Sequence, residues 1–462
     1  METERKIYIG GCVMKKVMLI CAPVTSKSGY GAHARDLTQS FIRHDKYDVK
    51  ILDVPWGDCP RNALDENNPN DKKILDCILL QPSLPNQPDI YVDIRIPNEF
   101  QTWGKFNIGI TAGIETNAVS QQWLEGVNKM DLIIVPSEHS KKGFAESVYD
   151  KVKNTPEGQQ KIGECKLEKP IEVLFEGADE DLYKPIENAS LDLVDDIKED
   201  FCFLHVGQWT KGGYGEDRKD IGKLVKVFYE SFANKKKKPA LILKTNGAGH
   251  SIIDKEECLT KIKDIKTKFP SDWELPNIYL LHGSLSDEGM NKLYNHPKVK
   301  AFVSLTHGEG FGRPLLEATM TGLPVIASAW SGHVDFLSQS DSLLLGGVLE
   351  KVPDSQHWEN IIISEAQWFN VNEQQTYKAL NYVFENIDDV TSRAKNLMKT
   401  NRDKFTLSKM VEKLDKIVTP HLEKLPQQVG LNLPKLKKVP EAPAGPKIKL
   451  PKLKKVTSEA TV

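Results

Sequence analysis

Glu309 and Glu317 stand with seven residues between them in EGFGRPLLE, inside a longer stretch, residues 300–337, that holds the chemistry-bearing residues closest together. Residues 301–305 predict a short buried strand. Residues 314–321 predict a helix with Pro314 in its first turn, where the missing N–H costs nothing. Gly322 is a helix stop, and residues 324–328 predict a second buried strand. Strand–helix–strand implies a parallel pair with a right-handed crossover. The connecting loop, His307, Gly308, Glu309, Gly310, Phe311 and Gly312, then lies at a strand carboxyl end, where open parallel sheets bind ligands. The first amides of the helix are unpaired and attract anions, and the glycines allow close approach to the backbone. Two carboxylates flanking an anion-binding amide cluster suit a phosphate with hydroxyl-bearing groups on both sides, such as a sugar nucleotide. The plain alternative is a buried core with a tight glycine turn.

The same stretch resembles retaining GT-B glycosyltransferases, family four in particular. The paired glutamates carry the resemblance, and GLPVIAS and SGHVDFL continue it. Elsewhere, GIETNAVSQQWLEGVNKMDLIIVPSEHSKKGF is similar to the family's first-domain pattern, and FEGADEDLYKP to the element that closes that domain, with Ala178 and Tyr183 at positions where valine and phenylalanine are usual. GQWTKGGYGEDRKD is similar to its phosphate element: Arg218 and Lys219 match, Gln208 replaces the first cation and Asp220 a glycine, and Lys211 is a candidate replacement cation. HGSLSDEGMNKLY resembles the base-contacting loop and helix.

The resemblance spans about residues 15–418 and implies an α/β GT-B fold: two Rossmann-like, doubly wound domains facing each other across a cleft. It implies an acceptor-side domain at 15–195, a nucleotide-sugar domain at 196–400 and a helix at 401–421 crossing back; an N-terminal extension at 1–14 and a tail at 422–462 fall outside it. Sugar would pass from a nucleoside-diphosphate sugar to an unidentified hydroxyl on a glycan, lipid, protein or modified nucleic-acid base. Arg218 and Lys219 would carry the leaving phosphate's charge, Glu309 would hold the donor sugar's hydroxyls, and Glu317 the ribose. Gly310, Phe311, Gly312, Arg313, His282, Gly283 and Leu285 would line the donor site. His282 also reads as an ordinary strand-end histidine. Gly29 and Gly31 in SKSGYG either face the cleft or make a tight turn, and Glu115 either faces the acceptor or sits at a helix N-terminus. The family reacts on one sugar face with the leaving phosphate taking the acceptor proton, so no general base, metal or cofactor is expected. A Glu309 nucleophile ranks lower. Asp179–Asp181 is not read as a metal site. A GT-B epimerase, a phosphorylase or a non-catalytic sugar-nucleotide-binding protein are the rivals.

Positioning such a site takes more than one core, as the 462 residues allow. Further strands are expected at 16–23, 49–54, 90–94, 106–112, 133–137, 170–174, 201–206, 240–244 and 278–281. Helices are expected at 31–44, 221–233, 374–387 and 405–418, the last with Met410, Leu414 and Val418 on one face. Residues 358–369 are also helical in pattern. With 27% charged and 39% apolar residues the chain suits a globular protein, and no apolar run reaches membrane-helix length. Seven scattered cysteines fit a reducing, cytoplasmic setting. Nine lysines and three glutamates from Leu422 onward make that tail +6 against −8 for the remainder. It repeats LPKLKKV, at 433–439 and 450–456. The expectation is a solvated, disordered extension carrying a docking motif twice. Contact with nucleic acid or an anionic membrane is the alternative.

Overall fold

The computed structural model describes residues 15–155, 158–210, 212, 214–247 and 249–426. The repeated tail motif and Lys211 lie outside the described residues. In the first lobe the order is β1 (Lys16–Ala22), α1 (Gly29–Arg43), β2 (Tyr47–Asp53), α2 (Pro69–Leu75), β3 (Ile90–Ile94), β4 (Phe106–Ile110), α3 (Gln121–Val127), β5 (Leu132–Val135), α4 (Glu138–Glu146), the antiparallel pair β6 (Tyr149–Thr155) and β7 (Gly158–Cys165), and β8 (Ile171–Val173). After α5 (Asp192–Asp195), the second lobe runs β9 (Cys202–Val206), α6 (Ile221–Phe232), β10 (Ala240–Lys244), α7 (Ile252–Lys266), β11 (Ile278–Leu281), α8 (Asp287–Asn295), β12 (Val299–Ser304), α9 (Arg313–Met320), β13 (Val325–Ser328), β14 (Leu343–Leu345), β15 (Gly347–Lys351), β16 (Gln367–Val371) and α10 (Glu373–Glu385). α11 (Ile387–Lys404) and α12 (Leu407–Leu422) follow.

Two six-stranded sheets result, ordered β2-β1-β3-β4-β5-β8 and β11-β10-β9-β12-β13-β14. Every neighbouring pair in both is parallel. Parallel strands are covered on both faces, so central ones carry continuous apolar runs, LIIV in β5 and ALIL in β10. The strand order reverses at β1/β3 and at β9/β12. At such a switch point the loops leaving neighbouring strands diverge and open a crevice. The loops after β9 and β12 carry Arg218, Lys219 and Glu309.

α12 returns to the first lobe. Lys16 on β1 donates to the Leu422 and Leu425 carbonyls at 2.7 and 2.9 Å, and Lys46 pairs with Asp415 at 2.8 Å. Met410, Leu414 and Val418 are buried, as their spacing predicts. Residues 358–369 differ from the expectation. They form an irregular loop entering β16, which pairs antiparallel with β15, because Trp368 lies flat on the His307 ring at 4.3 Å. Asp179 holds a turn: its Oδ1 accepts from the Asp181 and Leu182 amides at 2.9 and 3.3 Å.

Candidate functional site

Arg218 and Lys219 end the loop after β9, one residue before the N-cap of α6 is passed at Asp220. Asp220 has φ of 51°, in the left-handed region that glycine, asparagine and aspartate tolerate best. That explains why aspartate serves where the family has glycine. Its buried carboxylate meets Lys223 at 2.5 Å and His307 at 3.6 Å. The two preceding cations converge on Glu309. Lys219 hydrogen-bonds its Oε1, and Arg218 lies 3.5 Å from its Oε2. The Glu309 amide donates to Ser331 Oγ at 2.9 Å. Burial pushes the Glu309 carboxyl up, but Lys219 and Arg218 outweigh burial and hold it at about 2. Glu115, in the loop after β4, reaches Arg218 from the first lobe at 3.4 Å. It faces the cleft and does not open a helix, since α3 starts at Gln121. Gln208 is exposed.

A second cluster surrounds Glu317, on the second turn of α9. Arg313 donates through Nε to Glu317 at 3.0 Å and through Nη1 to Asp36 of α1 at 2.6 Å. Tyr294 donates to the other Glu317 oxygen at 3.3 Å. Glu176, after β8, lies within electrostatic reach of Arg313, Asp36, Glu317 and Glu309, is 8% exposed, and accepts no hydrogen bond from a described residue. Burial pushes both Glu317 and Glu176 up to about 7, with Arg313 pulling the other way. A raised carboxyl keeps its proton in the folded state after the unfolded chain has lost it, so its stabilisation is lost as pH rises from about 4.5 to 7. Glu176→Gln should therefore lose less stability than the parent between those pH values in urea unfolding. Parallel pH slopes would refute this.

The remaining residues separate into local roles. His282 bonds through Nε2 to Asp254 at 2.6 Å, and Asp254 also accepts from the Gly247 amide at 3.0 Å. Gly283 has φ of 100°, and its carbonyl accepts from Lys244 at 2.5 Å. Leu285 is half-buried against the core. The Phe311 side chain is buried, with its ring centroid 5.0 Å from that of Phe336. Gly31 supports a tight turn, since a Cβ there would lie 2.1 Å from the Ser26 carbonyl oxygen, whereas Gly29 is exposed with open space around it.

Glycines of the Glu309 loop meet the other lobe. A Cβ on Gly308 would lie 2.0 Å from the Glu115 carbonyl oxygen, and one on Gly310 2.1 Å from that of Ala112. Ser137 Oγ donates to the Gly310 carbonyl at 2.6 Å. Close approach to backbone is thus met here by protein, while the Gly310, Phe311 and Gly312 amides find no acceptor among the described residues. Gly310→Ala should force these loops apart. A rise in the radius of gyration by small-angle scattering is the expected result, and an unchanged radius with unchanged melting temperature would contradict it.

Residues 223–366 match the family model described as Glycosyl transferases group 1. Among solved structures, Anabaena HepE in complex with UDP and glucose aligns with 87% of this chain and 99% of its own, at 13% identity and a TM-score of 0.57. Sucrose-phosphate synthase from Thermosynechococcus elongatus aligns with 88% and 99%, at 12% identity and 0.58. WaaG, a glycosyltransferase involved in lipopolysaccharide biosynthesis, aligns with 87% and 100%, at 13% and 0.54. No curated protein sequence matches.

The chain has the GT-B fold.

Within that GT-B fold the matched segment contains Glu309 and Glu317 but begins just after Arg218 and Lys219. Sequence reasoning missed Asp36, Glu176, Tyr294, Ser331 and His205. His205 bonds to the Val303 carbonyl through Nδ1 at 2.9 Å, and its buried Nε2 faces Gly207 beside Lys219 without a partner among the described residues. Its position at the end of a strand leading into the cation loop was the available signal. No described helix is long and apolar enough to cross a membrane.

Proposed function

We propose that this GT-B chain moves a sugar from a nucleoside-diphosphate sugar to an acceptor hydroxyl, with retention of configuration and without a metal. The observation that carries the reading is the convergence of Lys219 and Arg218 on Glu309, in the loops that follow β9 and β12 and beside the Gly310, Phe311 and Gly312 amides, which find no acceptor among the described residues. As the glycosidic bond breaks, its electron pair moves to a β-phosphate oxygen, and fixed cations and amides stabilise that charge without reorganising. Binding exchanges the Lys219–Glu309 pair for a Lys219–phosphate pair. Glu309 is then free to accept hydroxyls of the sugar, and Glu317 accepts those of the ribose, since one carboxylate takes two neighbouring hydroxyls. The acceptor proton goes to the leaving phosphate. Glu115 lies on the acceptor side, and His282 with Gly283 and Leu285 beside the base. Uridine donors come first, because HepE is solved in complex with UDP-glucose.

A thermal-shift screen of sugar nucleotides, followed by nucleotide release with and without candidate acceptors, tests this. A stabilising donor and acceptor-stimulated release, with product anomer unchanged by NMR, are expected. A chain stabilised by no sugar nucleotide, or one that only interconverts donor epimers, would overturn it.

A further inference from the structure

Asp36 lies on α1 of the first lobe, yet its carboxylate is joined to α9 of the second through Arg313 at 2.6 Å. The two side chains are 17% and 19% exposed, so water screens this pair far less than a surface one. Arg313 is shared: its Nε goes to Glu317 at 3.0 Å while its Nη1 goes to Asp36. A guanidinium is a rigid planar fork, so fixing one edge fixes the direction of the other. Tyr294 grips the second Glu317 oxygen, from α8 of the same lobe as Glu317. The orientation of the Glu317 carboxylate therefore depends on a residue that only the docked first lobe supplies. α1 presents no second acid on this face: Arg35 turns back to the Val24 and Ser26 carbonyls at 3.0 Å, and His33 is buried and neutral.

We propose that Asp36 is a positioning residue that, through Arg313, sets Glu317 for the nucleotide and so couples nucleotide grip to lobe docking. This rests on the donor assignment above. Without Asp36, the guanidinium is released from one anchor and turns toward Glu317 and Glu176, and Glu317 meets the ribose in the wrong orientation.

Two measurements on the full chain decide the matter. In calorimetric titration with UDP, ADP and GDP, Asp36→Ala should weaken whichever nucleotide the parent binds by about tenfold, and Asp36→Glu should restore most of that loss. In an Arg313→Ala background, Asp36→Ala should add nothing. If Asp36→Ala does not fold, Asp36→Asn takes its place. Parent-like binding by the Asp36 variant, or equal weakening with and without Arg313, overturns the proposal. The second measurement needs no ligand: a thermal double-mutant cycle on Asp36 and Arg313 should give non-additive melting shifts. If the parent binds none of the three nucleotides, the donor assignment fails and the cycle still judges the tie. Additive shifts overturn it.

Discussion

Lys219→Ala should lower turnover by on the order of 10²–10³-fold, the loss seen when one preorganised donor to a developing oxyanion is removed. The sequence alone predicts that this substitution spares stability, because a surface ion pair contributes under about 1 kcal/mol. The structure changes that expectation. Lys219 is 9% exposed and bonded to buried Glu309, so its removal leaves a buried carboxylate with Arg218 as its remaining cation. Removing one partner of a buried pair is strongly destabilising. The melting temperature should therefore fall together with kcat. Adding Glu309→Gln to Lys219→Ala should recover the melting temperature and leave turnover low. Recovery of turnover as well would show that Lys219 merely neutralises Glu309.

Glu317→Ala should raise the KM for donor by roughly 10- to 100-fold, the loss of a hydrogen bond to a charged group of about 1.5–3 kcal/mol. Glu309→Gln should change it far less. The two carboxylates are held differently. Glu309 is kept ionised at about 2 by two cations from the neighbouring loop, whereas Glu317 sits at about 7 with Arg313 and Tyr294. Steady-state kinetics at fixed acceptor reads the split, and equal KM effects would contradict the division of roles between ribose and sugar.

The strand–helix–strand around Glu309 was legible because its buried strands carry unbroken apolar stretches, AFV in β12 and VIA in β13, and Pro314 and Gly322 punctuate the helix. The return of α12 was legible from Met410, Leu414 and Val418 at helical spacing. Residues 358–369 misled because a few apolar side chains fit a helical period by chance, while stacking of Trp368 on His307 decided for a strand. Asp220 looked like a departure, but a left-handed φ accounts for both aspartate and glycine there. Asp36 and Glu176 left no local signal. Asp36 meets Arg313 from 277 residues away, and neither spacing nor propensity encodes such a contact.

If the crevice between the β9 and β12 loops holds a sugar nucleotide, Arg218, Lys219 and Glu317 are the side chains that grip it. A crystal structure with the sugar nucleotide that stabilises the chain most tests it directly. Diphosphate oxygens within about 3 Å of Arg218 and Lys219, ribose on Glu317, and Glu309 released from Lys219 are the expected result. A nucleotide bound elsewhere, with Glu309 still paired to Lys219 in the saturated crystal, would contradict it.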